Sequence, residues 1–284
     1  MQNIKKCVKV KAVYLNRYID LIGLDFMTTT LITGASSGIG EAFANALAAR
    51  GNDLILVARS GDTLEAIAHR LQSQHNIRAE VIVQDLTHPD GGNTVFQSVQ
   101  DLGMTVDVLI NNAGFGDYGP FHKGDRTKQL DMIRLNVLAL TDLTHQFLPS
   151  MVTRKAGHII NVASIAAFQP MPHLSVYAAT KAFVLSFSEA LWAEVKGDGV
   201  KVLALCPGPT DTQFAQVANF NNKMDESPQV MTSEAVGQEA LREMDSGHPN
   251  VVNGGFLNQF IVNLSRFLPR ATMANVLEQQ FRSR

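Results

Sequence analysis

The chain is poor in several things, and each shortage excludes a class of protein. Its two cysteines, Cys7 and Cys206, lie on dissimilar segments, which excludes a disulfide framework or a cysteine-based metal site and fits a reducing compartment. Neither sign of charge dominates: 24 Lys and Arg against 26 Asp and Glu leave a formal charge of −2 and a pI near 6.4. Such a balance gives no electrostatic footprint for a nucleic-acid partner. The sequence lacks an apolar run of the roughly 20 residues that cross a bilayer, and it has no internal repeat or low-complexity tract. With 45% apolar residues in 284, there is enough to build one large domain around a substantial core. A cytoplasmic location is expected.

From Thr28 onward the pattern is strand, glycine turn, helix, strand. TTTLIT leads into a turn holding Gly34, Gly38 and Gly40, then a helix from near Gly38, then LILVAR; AEVIVQDL, VDVLINNAG, GHIINVAS, KVLALCPG and a short VVNGG read as further strands. A glycine turn between a strand and a helix is a phosphate-binding arrangement. Gly34 permits the tight turn, Gly38 lets the backbone approach a pyrophosphate, and Gly40 lets the helix press on the sheet.

A second cluster carries proton chemistry. Tyr177 and Lys181 lie four residues apart in the helical run VYAATKAFVLSFSEALWAEV, so they share a helix face. A phenol titrates near 10 and is a poor acid or base at neutral pH unless its anion is stabilised. An ammonium at about 5 Å, with an effective dielectric near 20, contributes roughly 3 kcal/mol, or about two pKa units. Ser164 ends the apolar run GHIINVAS thirteen residues before the tyrosine, where a strand end facing a helix start brings a hydroxyl to a phenol over a bound carbonyl.

Thr33-Gly34-x-x-x-Gly38-x-Gly40, Asn111-Asn112-Ala113-Gly114, Asn136, Ser164, Tyr177-x-x-x-Lys181 and Pro207-Gly208, in that order and spacing, resemble the short-chain dehydrogenase/reductase family of the common Rossmann type, over residues 28 to 255. The resemblance implies a single doubly wound α/β Rossmann domain, with a mostly parallel sheet of about seven strands flanked by helices. It implies an NADP(H)-dependent oxidoreductase without a metal, interconverting a carbonyl and a secondary alcohol. Ser164 holds the carbonyl oxygen, Tyr177 is the acid/base, Lys181 binds ribose hydroxyls and lowers the phenol's pKa, and Asn136 distorts its helix and holds a water. Ser36, Ser37 and Ile39 of the turn, Asp85-Leu86 at the adenine, Asn112, Ala113 and Gly114 beside the ribose, and Pro207, Gly208, Thr210 and Thr212 over the nicotinamide complete the expected cofactor site.

At the end of the second strand Arg59 stands where a carboxylate would favour the unphosphorylated cofactor, and its guanidinium suits a 2′-phosphate. Asp85 fits a second role as a loop cap before a helix at Pro89. Asn136 interrupts a helix from about Asp125 to Phe147, where asparagine is unfavourable unless it serves a purpose; satisfying a neighbouring backbone is the alternative purpose.

Residues 1–26 form a basic extension without a signal-peptide core, either native or upstream of a start at Met27. Residues 213 to 231, with Phe214, Val217 and Phe220, are expected to be a lid over the substrate. Phe115, Tyr118, Phe168, Met171, Leu174 and Phe214 are expected to wall a mainly apolar pocket. In the tail from residue 256, Leu257, Phe260, Ile261, Leu264, Phe267 and Leu268 form a stripe, with Arg266 and Arg270 nearby. That stripe calls for a cover, either the domain or a sister subunit of a homodimer or homotetramer, in preference to a membrane surface. A non-catalytic NADP(H)-binding regulator is the alternative function.

Overall fold

The computed structural model describes residues 28–219, 230–244, 246–264 and 269–282. The extension 1–26, Phe220 of the expected lid, Arg266, Phe267 and Leu268, and the side chains of Leu257, Phe260, Ile261 and Leu264 lie outside what it describes.

Seven parallel strands form the central sheet: β1 (Thr29–Thr33), β2 (Asp53–Ala58), β3 (Ala79–Val83), β4 (Val108–Asn111), β5 (Gly157–Val162), β6 (Val200–Cys206) and β9 (Asn250–Val252), in the order β3-β2-β1-β4-β5-β6-β9. The expected doubly wound sheet is what forms. Its strands are nearly continuous apolar runs because both faces are covered, and alternate residues enter different cores. Ile32, Leu54, Leu56, Ile110 and Ile160 pack beneath α1 (Gly38–Ala48), α2 (Gly61–His75) and α8 (Ser233–Glu243). Leu31, Ile55, Val57, Leu109 and Ile159 pack on the other face against α3 (Gly91–Asp101), α5 (Leu140–Arg154) and α6 (Ser175–Val195). The strand order reverses between β1 and β4, which opens a crevice beyond the carboxyl ends of these strands.

Three local departures from the sequence reading bear on the site. The helix before Phe147 is not uniform: α4 (Arg126–Ile133), capped by the Asp125 carboxylate on the Thr127 and Lys128 N–H groups, passes into a π-helical segment, Arg134–Ala139, before α5. The helix expected at Pro89 starts at Gly91, because the chain from Asp85 is held in turns, with the His88 carbonyl accepting from Gly91 N–H at 2.9 Å. The lid segment is anchored at its base by a parallel mini-sheet of β7 (Thr210–Asp211) and β8 (Met231–Thr232), with a short helix α7 (Phe214–Val217) between them. Two helices, α9 (Gly255–Leu264) and α10 (Arg270–Arg282), end the chain. Among the described residues no helix is long and apolar enough to cross a membrane.

Candidate active site

A cleft of about 1090 Å³ lies at the carboxyl ends of the strands, floored by the glycine turn. The turn takes left-handed backbone at Gly34 (φ 66°) and Gly38 (φ 56°), conformations that favour glycine. The Gly34 N–H donates to the Val57 carbonyl at 2.8 Å, which fixes the turn to β2. The Ser37 side chain makes no capping bond to α1, so the first-turn N–H groups keep their capacity for an anion. Ser36, Ser37 and Ile39 line the cleft beside them. Gly40 lets α1 press on the ends of β1 and β4: a Cβ there would run into the Gly34 carbonyl oxygen and the Asn112 amide. The Asn112 amide also serves the turn, donating to the Thr33 carbonyl at 2.9 Å and the Gly34 carbonyl at 3.2 Å.

Arg59, following Ala58 at the end of β2, lines the cleft together with Asp85 and Leu86. Burial pushes the Asp85 carboxyl up, but bonds from the Thr87 N–H (2.9 Å) and hydroxyl (2.8 Å), with the fields of Arg59 and His88, outweigh it and hold the group below the usual carboxylate range. Asp85 is thus a loop cap, and its carboxylate faces a cleft that the arginine shares.

Across the cleft, Ser164 at the end of β5 meets the first turns of α6. The Ser164 hydroxyl lines the same wall of the cleft as the Tyr177 phenol, and Ser164 Oγ accepts from the Ala166 N–H at 3.1 Å. Lys181 Nζ donates to the Val162 carbonyl at 2.7 Å and stands 5.8 Å from the centre of the Tyr177 ring. The expectation that the ammonium depresses the phenol is corrected here. Burial pushes Tyr177 up to about 12, against which the nearby Ser164 hydroxyl is the opposing influence, and burial brings Lys181 down to about 8. With its ammonium turned to a carbonyl, the lysine spends its field there, and desolvation prevails.

Asn136 is buried in the π-helical segment, behind the cleft and not on its wall. Its Oδ1 accepts from the Phe115 N–H (3.1 Å), and its Nδ2 donates to the Phe115 carbonyl (3.0 Å) and to Thr180 Oγ1 (3.1 Å). Thr180 Oγ1 in turn donates to the Tyr177 carbonyl at 2.7 Å. The helix distortion is present, and so is the satisfied backbone. Gly114 leaves room for both groups: a Cβ there would stand 3.0 Å from Asn136 Oδ1 and 3.4 Å from Lys181 Nζ. Asn111 does not reach the cleft; it is buried, with Nδ2 donating to Thr144 Oγ1 (3.0 Å) and Asn161 Oδ1 (2.9 Å). Ala113, Pro207, Gly208, Thr210 and Thr212 line the remaining edge, where the Pro207 carbonyl accepts from Ile165 N–H at 3.0 Å and Thr212 packs on Gly38.

The far end of the cleft is apolar. Phe115, Met171, Leu174 and Phe214 line it as expected. Tyr118 packs against the same cluster from behind. Phe168 departs from expectation: it ends the short 3-10 turn Ile165–Phe168, which carries its ring away from the cleft into the core formed with Val184 and Val262. Four wall residues, Met273, Val276, Leu277 and Phe281 of α10, were not foreseen, although their spacing is a helical stripe that the sequence displays. Thr180 was also missed; a hydroxyl between Tyr177 and Lys181 carries no pattern of its own.

The family model described as short chain dehydrogenase matches residues 28–223. The chain belongs to the short-chain dehydrogenase family. This is a family of oxidoreductases, and its curated members include a very-long-chain 3-oxoacyl-CoA reductase of Anas platyrhynchos, 30% identical over 265 residues (89% of this chain and 81% of that one). The inactive hydroxysteroid dehydrogenase-like protein 1 of Homo sapiens is likewise 30% identical, over 225 residues (77% of this chain and 67% of that one). Among solved structures, a short-chain dehydrogenase from Sphingobium yanoikuyae in complex with NADPH superposes with a TM-score of 0.77 at 33% identity, covering 84% of this chain and 93% of that one.

Proposed function

We propose that this dehydrogenase is an NADP(H)-dependent enzyme that interconverts a mainly apolar carbonyl compound and its secondary alcohol. The observation that carries this reading is the convergence of Ser164, Tyr177 and Lys181 on one wall of the cleft that the glycine turn floors. The cofactor fits the residues present. Gly34, Gly38 and Gly40 leave a cradle that side chains would fill, the first turn of α1 offers N–H groups for a pyrophosphate, and Arg59 supplies a guanidinium where a 2′-phosphate would lie. The NADPH held by the Sphingobium relative supports the same choice.

A bound nicotinamide supplies the hydride. Ser164 donates to the substrate oxygen and orients it beside the phenol. Tyr177, protonated at neutral pH because burial holds it near 12, gives that oxygen its proton as negative charge develops there. Lys181 keeps a positive charge within 5.8 Å of the ring, and Asn136, through Thr180, holds the turn of α6 that carries both groups.

The human relative's name raises the alternative of a non-catalytic nucleotide-binding protein. All four groups of the proton-transfer site are present here, and their arrangement supports the enzyme. The test is a panel of ketones and aldehydes mixed with the protein and NADPH, with loss of cofactor absorbance recorded and NADH run in parallel. Turnover with NADPH and much weaker turnover with NADH are expected. No turnover with either cofactor would favour the non-catalytic reading, and a preference for NADH would overturn the role given to Arg59.

A further inference from the structure

The stripe of α10 completes the substrate end of the cleft. Met273, Val276, Leu277 and Phe281 recur at intervals that place them on one helix face, and all four line the cleft. The helix is fastened from beneath. The Tyr118 hydroxyl donates to the Phe281 carbonyl at 2.8 Å, and the two rings pack with centroids 6.5 Å apart. The same short segment holds other parts of the cover: Tyr118 N–H donates to the Ala218 carbonyl just past α7, and Gly119 N–H to the His173 carbonyl, each at 2.8 Å. Lys128 Nζ adds a bond to the Val217 carbonyl at 3.1 Å while pairing with Asp117 at 2.7 Å.

Between the catalytic phenol and α10 lies an apolar cluster. Tyr177 packs on Phe214 with ring centroids 5.1 Å apart, and Met171, Leu174, Phe214 and Phe281 belong to one cluster with Tyr177. Among the described residues lining the cleft, the charged ones are Arg59, Asp85 and Lys181, all on the glycine-turn side or at the catalytic helix. Among the described residues the apolar end therefore offers no ionic partner, and charge placed against them would be desolvated without compensation.

We propose that α10 is the specificity-determining wall of this enzyme and gauges the length of an uncharged apolar chain that carries the reacting carbonyl. The proposal rests on the carbonyl-reductase reading above for where the carbonyl sits. The chain runs from Tyr177 past Phe214 and Met171 and ends against Leu277 and Phe281. Each methylene added within that length strengthens binding by about threefold to fourfold, and the gain stops when the chain meets the Phe281 ring.

The experiment uses the full chain loaded with NADP+, so that no turnover is needed, and measures by calorimetry its affinity for straight-chain 2-alkanones from about six to about fourteen carbons, a series graded by buried methylenes. Affinity is expected to climb with length and then level off. Phe281→Ala moves that limit to longer ketones. Val276→Arg changes an exposed position that folding does not depend on, and weakens the long ketones about tenfold more than the short ones. A parent chain that binds no ketone of the series, or a length profile that both variants leave in place, overturns the proposal. A coenzyme A thioester of matched chain length that binds more tightly than the ketone overturns the requirement for an uncharged substrate. Reduction of the same ketones by NADPH, followed in parallel, reports on the enzyme reading alone: ketones bound with the expected profile but never reduced would end that reading and leave the role of α10 standing.

Discussion

Lys181 gives its ammonium to the Val162 carbonyl, and burial brings it down to about 8, within reach of ordinary assay conditions. The sign of the effect follows directly. Below that value the side chain carries the positive charge that favours a developing alkoxide; as pH rises through it the charge is lost. Tyr177, near 12, stays protonated throughout and remains a proton donor. The second-order rate for carbonyl reduction should therefore be flat at neutral pH and decline above about 8, while Lys181→Arg, whose guanidinium does not titrate, should retain whatever activity it has at alkaline pH. A rate undiminished a full unit above that value would remove Lys181 from the electrostatics of the reaction. Much at this scale was legible in the sequence. Gly34, Gly38, Arg59, Ser164 and Tyr177 announce themselves because their chemistry depends on local spacing. The titration of Tyr177 was not legible, because it depends on how completely the fold excludes water and on which carbonyl the lysine finds.

The contact between the π-helical segment and α6 belongs to the scale of elements. Asn136 leaves the α-helical ladder and holds Thr180, and Thr180 bonds the Tyr177 carbonyl. With Asn136 and Thr180 both buried, Thr180→Val leaves one amide hydrogen without a partner, at a cost of about 1–3 kcal/mol. A lowered melting temperature is expected, together with a fall in kcat of roughly tenfold while KM for the carbonyl changes little, because the loss is in how Tyr177 is aimed. Thr180→Ser should restore both. Equal losses in kcat from Val and Ser would show that the Thr180 hydroxyl is not by itself what aims Tyr177. The seven strands of the sheet could be read from the sequence since their apolar runs reflect burial on both faces. The π segment, the mini-sheet of β7 and β8, and the direction of Phe168 could not, because tertiary contacts choose among backbone states that the local sequence leaves nearly equal.

For the whole molecule, the doubly wound sheet brings three distant stretches to one crevice: the turn at Gly34, the Ser164 to Lys181 region, and α10 nearly 100 residues further along. The tail was expected to require a cover; its second helix is itself a cover. That relation escapes a reading along the chain because an apolar helical stripe does not state which surface it will meet. The proposed reaction requires hydride to reach a carbonyl at the same place where Tyr177 gives up its proton. The most direct measurement is to supply NADPH deuterated at C4 with a long-chain ketone and to follow the label by mass spectrometry, using the parent chain and Tyr177→Phe. Deuterium on the carbinol carbon with the parent, and none with Tyr177→Phe although NADPH still binds, is the predicted result; label transferred equally by both proteins, or by neither, would contradict it.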